Sequence, residues 1–293
     1  MSALLKFWGT RGSIPTPGSW TRVYGGNTSC VEIRFGDSVF ICDAGSGIRQ
    51  LGRDLLERDP LPNDLHLFIT HTHWDHIQGF PFFAPAHLKN FRIFLYGTEE
   101  GDTSRYRLIS GQMTSSYFPV DFGDLMAEVI PDTIHEGHKV IDGVKVTCFP
   151  TNHPGGCFGY RFDKDEVSVA YVTDNEMPVQ PEDTFPDPDN KGPLRKVPEQ
   201  LLAAVKGVDL LVVDSQYDDS QYAAKVGWGH SSCFTSTDLG IQAGAKALAL
   251  FHHDPECTDE EIDAKVETCR KRAENFKSEM VVFAAREGVE LKL

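Results

Sequence analysis

The stretch Phe68–Gly79 reads F-I-T-H-T-H-W-D-H-I-Q-G and places His71, His73, Asp75 and His76 within six residues, directly after a hydrophobic run. Imidazole and carboxylate are borderline-to-hard ligands that suit Zn²⁺, Mn²⁺ or Fe. Four such groups suffice for one closed structural zinc site. A catalytic or dinuclear centre needs more donors, and the chain offers them just past later hydrophobic runs. His153 follows Val144–Phe149, Asp174 follows Val167–Val172, and the pair His252-His253 follows Ala247–Phe251. Seven ligands meeting at one sheet edge would hold two ions, with a bridging carboxylate and open positions for water.

Such a site needs strands that stop together. Leu4–Trp8 reads as a short strand, and Ile14–Gly26, with its prolines and glycines, as a loop. Cys30–Phe35 and Val39–Cys42 flank Gly36-Asp37, the dipeptide of a tight hairpin. A helix is predicted over Ile48–Glu57, and Leu65–Thr70 is the strand that delivers the histidine motif. Further strands are predicted at Phe91–Tyr96, Asp124–Pro131, Val144–Phe149, Phe158–Phe162, Val167–Val172, Leu210–Val213 and Ala247–Phe251. Helices are expected at Thr103–Gln112, at Glu199–Lys206, and at Ser236–Ala243 with Thr235 or Ser236 as the cap. In Glu260–Phe276, residues Ile262, Val266, Cys269, Ala273 and Phe276 recur at helical spacing, an amphipathic helix over the core. Residues 178–198, rich in proline and aspartate, read as a lid-like insertion loop within a single domain spanning 1–293. The two strand-rich halves, each closed by helices, predict an α/β sandwich of two sheets covered on both outer faces.

Composition narrows the partners. Against 28 basic residues stand 43 acidic ones, a net charge of −15, which is a poor surface for a polyanion bound through its backbone. Strong nucleic-acid affinity is therefore not expected. No stretch has the apolar length of a membrane span, and no signal sequence is recognised. The seven cysteines are odd in number and form no CxxC pair, which fits free thiols in a reducing cytoplasm.

The order H-x-H-x-D-H, then His, then Asp, then His resembles the metallo-β-lactamase fold superfamily of metal-dependent hydrolases, over essentially the whole chain. The opening G-T-R-G-S-I-P-T-P…Y-G-G-N-T-S-C and the late Gly229-His230-Ser231 look like its phosphodiesterase branch, which includes ribonuclease Z-like and cyclic-nucleotide phosphodiesterase proteins. The resemblance implies a four-layer αββα sandwich. It assigns His71, His73 and His153 to one divalent ion and Asp75, His76 and His252 to a second, with Asp174 bridging; His253 is the alternative to His252 if the strand ends one residue later. Zn²⁺ is the default ion from ligand type, with Mn²⁺ or Fe also accommodated. The same resemblance gives Asp75 a part in orienting the nucleophile, and has His230 touch the scissile phosphate and protonate the leaving oxygen.

The function so implied is hydrolysis of a small phosphodiester, foremost cAMP or cGMP, by a water activated between two metals. Ribonuclease Z-like RNA 3′-processing is the nearest alternative, set back by the acidic balance and the lack of a Gly- and basic-rich arm. Thioester, lactone or β-lactam hydrolysis and a non-catalytic metal sensor are the remaining readings. Phe80, Phe82, Phe83, Tyr117 and Phe118 are candidates for stacking on a base, and Trp74 for walling the pocket. Asn27 either approaches the site or shapes its loop. The resemblance also leaves a homodimer open.

Overall fold

The computed structural model describes residues 3–97, 99–100, 103–178 and 191–293. One sheet is built from β1 (Ala3–Gly9), β2 (Cys30–Phe35), β3 (Ser38–Cys42), β4 (Asp64–Phe68), β5 (Arg92–Gly97), β6 (Glu128–Thr133) and the last strand, β14 (Glu290–Lys292), in the order β14-β1-β2-β3-β4-β5-β6. The other contains β7 (Gly137–Ile141), β8 (Val144–Thr151), β9 (Cys157–Lys164), β10 (Val167–Val172), β11 (Leu210–Asp214), β12 (Ala247–Phe251) and β13 (Val281–Ala284), ordered β13-β12-β11-β10-β9-β8-β7. Strands β3 to β6 run parallel, as do β10 to β13. The remaining pairings are antiparallel. Alternation along each strand then divides the apolar residues. In β4, Phe68 faces the opposite sheet with Phe40, Tyr160 and Phe162, while Leu65 and Leu67 join the core under helix α1 (Ile48–Leu56). On the far side, Leu211, Val213, Leu248 and Leu250 pack beneath α3 (Cys233–Ala243) and α4 (Asp259–Asn275). The result is the αββα order of layers.

Parallel neighbours end together. Cys42 of β3 is level with Phe68 of β4, Val172 of β10 with Val213 of β11, and Asp214 with Phe251 of β12. Each sheet therefore presents several carboxyl ends at one edge, where side chains leaving the strands converge.

The structure moves several expected boundaries. β4 stops at Phe68 rather than Thr70, and a short helix, α2 (Trp74–Ile77), begins inside the histidine motif. Asp124 belongs to a 3₁₀ turn, and β6 starts at Glu128. Helix α3 begins three residues early, because Ser232 rather than Thr235 or Ser236 accepts the capping N–H, from Thr235. Strands β7, β13 and β14 were not expected; two of them are four residues or fewer, too short to show a period. The 178–198 excursion lies mostly outside the described residues. No helix among the described residues is long and apolar enough to cross a membrane.

Candidate metal centre

The polar residues that follow these strand ends converge in two sets that share Asp174. His71, His73, His153 and Asp174 form one set, and Asp75, His76, Asp174 and His252 the other; ligand atoms within each lie within 4.8 Å of one another. In the first set His153 Nε2 stands 3.0 Å from His73 Nδ1, and Asp174 Oδ2 stands 3.5 Å from His71 Nε2 and 3.6 Å from His153 Nε2. In the second, Asp174 Oδ1 is 3.1 Å from both His76 Nε2 and His252 Nε2, and Asp75 Oδ2 is 3.2 Å and 3.1 Å from the same two atoms. The two oxygens of Asp174 thus face different sets.

These separations test whether a metal fits. Nitrogen and oxygen donors at about 2.0–2.1 Å from a tetrahedral ion stand roughly 3.3 Å apart. Both sets match that spacing. Among the described residues, His71 Nε2 and His76 Nε2 are buried without a hydrogen-bond partner, a costly state that a cation relieves. Charge points the same way. Burial would hold the His76 imidazole neutral, but Asp174, Asp75 and Asp43 drive its pKa well above the usual value, the mark of a buried excess of carboxylates. Burial lowers the pKa of His71 and of His153, which keeps both in the neutral form a metal requires.

The far sides of the rings are fixed by the strand ends behind them. Asp43, immediately after β3 and fully buried, accepts from His76 Nδ1 at 2.8 Å, from the Thr70 amide at 2.9 Å and from the Tyr171 hydroxyl at 2.9 Å. His71 Nδ1 lies 3.1 Å from Thr70 Oγ1, which itself donates to Asp43. His153 Nδ1 donates to the Gly229 carbonyl at 2.8 Å. Such outer partners fix the tautomer that leaves the opposite nitrogen free to ligate. Ser13, in the opening loop, donates its amide to Asp75 Oδ2 at 2.7 Å. Ser13, Asp43, Asp174 and His252 all adopt positive φ, between 45° and 64°, so backbone strain concentrates here.

His230 stands between the two sets. Its ring centroid is 5.1 Å from that of His153 and 5.0 Å from that of His252, on which it stacks. Nδ1 donates to Asp214 Oδ2 at 2.7 Å, and burial, which lowers the pKa, is outweighed by that carboxylate, so the group is raised to about 9. Asp214 is held in turn by the Gln216 amide at 3.0 Å. His230 and Asp214 also lie within ligating reach of Asp174 and His252. The Nδ1 hydrogen bond marks them as a His–carboxylate dyad.

All seven expected ligands and His230 therefore meet at one edge. His253 does not: it lies against Arg11 and donates to the Ala285 carbonyl at 2.9 Å. Asn27 shapes the loop, with Nδ2 donating to Glu287 and Oδ1 accepting from Ser46. Two of the stacking candidates are withdrawn into the core, while Phe82 and Tyr117 are exposed. Phe80 and Phe83 are buried in the core under α1, and Phe82 packs edge-on against Phe118. Trp74 projects into solvent with 68 % of its surface exposed. Sequence reasoning missed Asp43 and Asp214, although each ends a hydrophobic run, the signal that found Asp174. It also missed Glu176, whose carboxylate accepts from the Tyr222 hydroxyl and from the Gly227 and Gly229 amides, at 2.8 Å each.

Fold and site together define a metallo-hydrolase of the αββα class. The model of the β-lactamase superfamily domain matches residues 39–253, and the chain belongs to that family as a metal-dependent hydrolase. Among its relatives, the ribonuclease Z of Halobacterium salinarum is 27 % identical over 289 residues, covering 86 % of this chain and 87 % of the relative. The metallo-β-lactamase fold protein YhfI from Bacillus subtilis superimposes with a TM-score of 0.70 at 16 % identity, each chain covered in full. A diphosphatase from the PhnP family gives 0.68 at 18 % identity, with 99 % and 98 % of the two chains covered. These two structures speak for the fold.

Proposed function

We propose that the protein hydrolyses a small phosphodiester, foremost a cyclic nucleotide such as cAMP or cGMP, with His71, His73 and His153 holding one divalent ion, Asp75, His76 and His252 a second, and Asp174 bridging. Zn²⁺ is the ion the imidazole-rich set favours. When bound, two such ions supply an acidified water and a clamp on the phosphoryl oxygens. The observation that carries the reading is His230, seated about equally far from both ligand sets and tied to Asp214. A phosphoryl group lying across both sets meets this ring. With Nδ1 committed to Asp214, Nε2 is left to give a proton to the departing alkoxide, which leaves poorly without one. Asp75, pinned by the Ser13 amide, would orient the attacking water.

A second reading, RNA 3′-end processing, is favoured by the name of the Halobacterium relative. The net charge of −15 places it behind the small substrate. Metal analysis coupled to turnover of cAMP, cGMP, 2′,3′-cyclic nucleotides and a tRNA precursor separates the two, and precursor cleavage without cyclic-nucleotide turnover reverses the order. His230→Ala should retain both ions while turnover falls about 10²- to 10⁴-fold. Loss of metal in that variant would show that the histidine is a ligand instead.

A further inference from the structure

The loop that bears His230 also carries an open aromatic ring. Trp228 is 56 % exposed, yet the backbone beneath it is fixed. The amides on either side of it, Gly227 N–H and Gly229 N–H, both donate to the buried Glu176 carboxylate at 2.8 Å, and its own amide donates to the Lys225 carbonyl at 3.0 Å. Both glycines adopt positive φ, and a Cβ at Gly229 would stand 2.2 Å from His153 Nδ1. The loop is therefore closed tightly over a metal ligand. The Lys225 ammonium sits 3.9 Å from the centre of the indole and sets its plane by a cation–π contact. One face of the ring is capped by that cation. Along the chain Trp228 is one residue from the carbonyl that steers His153 and two from His230, and in space Lys225 also lies 6.0 Å from the ring of Tyr217, which is itself 6.0 Å from that of His230.

A large flat ring that is ordered before binding loses little freedom when a second ring is laid on it. We propose that Trp228 is a stacking platform for a nucleobase, so that the centre takes phosphodiesters carrying a planar base, an inference that rests on the phosphodiester reading above. Cyclic mononucleotides and the last nucleotides of an RNA share that chemistry. The platform defines the substrate as a nucleotide ester in preference to an alkyl phosphodiester of the same charge. Lys225, beside the ring, adds a positive charge suited to an anionic ligand.

The test compares two chromogenic esters that release the same nitrophenolate from the zinc-loaded protein: thymidine 5′-p-nitrophenyl phosphate, which carries a base, and methyl p-nitrophenyl phosphate, which does not. Trp228→Ala should raise KM for the thymidine ester about tenfold, leave kcat within about twofold, and leave the methyl ester unchanged. Trp228→Phe should restore most of the loss, and Trp228→Leu, apolar without a π face, should not. Equal losses on both esters, an unchanged KM for the thymidine ester, or full rescue by leucine would each overturn the platform while leaving phosphodiester hydrolysis standing. If the zinc-loaded parent protein turns over neither ester nor a cyclic nucleotide, the underlying function fails and the platform with it. Competition by cAMP and by a short RNA, each measured against Trp228→Ala, then distinguishes the two sources of the base.

Discussion

The two ligand sets share a carboxylate and differ in almost everything else. Asp75, His76, Asp174 and His252 are all buried, and behind them stand Asp43 and the Ser13 amide. The other set contains His73, which is exposed at the start of α2, and depends on Thr70 and on a loop carbonyl for the orientation of His71 and His153. One half of the centre is thus enclosed by chain and the other faces solvent. If each set held an ion, Asp75, His76 and His252 would hold theirs away from solvent, while His71, His73 and His153 would leave theirs accessible.

That difference can be broken at the point the halves share. Asp174→Ala removes an oxygen from each set, and we expect loss of both ions with activity down by more than about 10³-fold, read by metal analysis and turnover. Retention of one equivalent would mean that Asp174 serves a single ion. The next contrast is between halves. His76→Ala should empty the enclosed set and lower the melting temperature, whereas His73→Ala should release about one equivalent of metal to a mild chelator and leave the fold intact. Equal metal loss in the two variants would erase the asymmetry. The smallest effect is expected one layer out, where Asp43→Asn should weaken metal affinity about 10- to 100-fold while the ligands themselves remain. A change confined to stability, with affinity untouched, would reduce Asp43 to a packing role.

Sequence reading reached the seven residues that cluster here because each is tethered to a hydrophobic run, and strand ends in an open α/β sheet are where side chains of different strands meet. The same logic applies to Asp43 and Asp214, each at a strand end and each hydrogen-bonded to a histidine of the cluster. Glu176 and Trp228 left no periodic trace: what matters about them is which amides a loop turns toward one carboxylate, and that is settled by tertiary packing. The phenylalanines after the motif misled for the opposite reason. Their spacing next to a metal motif looked like a pocket, but Phe80 and Phe83 are drawn into the core, and only Phe82 stays exposed. The extra strands at the C-terminal end were hidden by brevity, since three or four residues carry no alternation to read.

The opening loop has a consequence for how the molecule is made. Arg11, one of its buried side chains, donates to the carbonyls of Asp254 and Cys257, more than 240 residues along the chain, and Asn27 is held by Glu287. Strand β1 is finished only when β14 pairs with it. The loop that sets Ser13 against Asp75 is thus anchored by contacts of very large sequence separation, the kind whose loop-closure cost slows folding. The histidines at the front of the chain are therefore completed by its back: His252 joins their cluster, and Asp254, Cys257 and Glu287 hold the loop that roofs it.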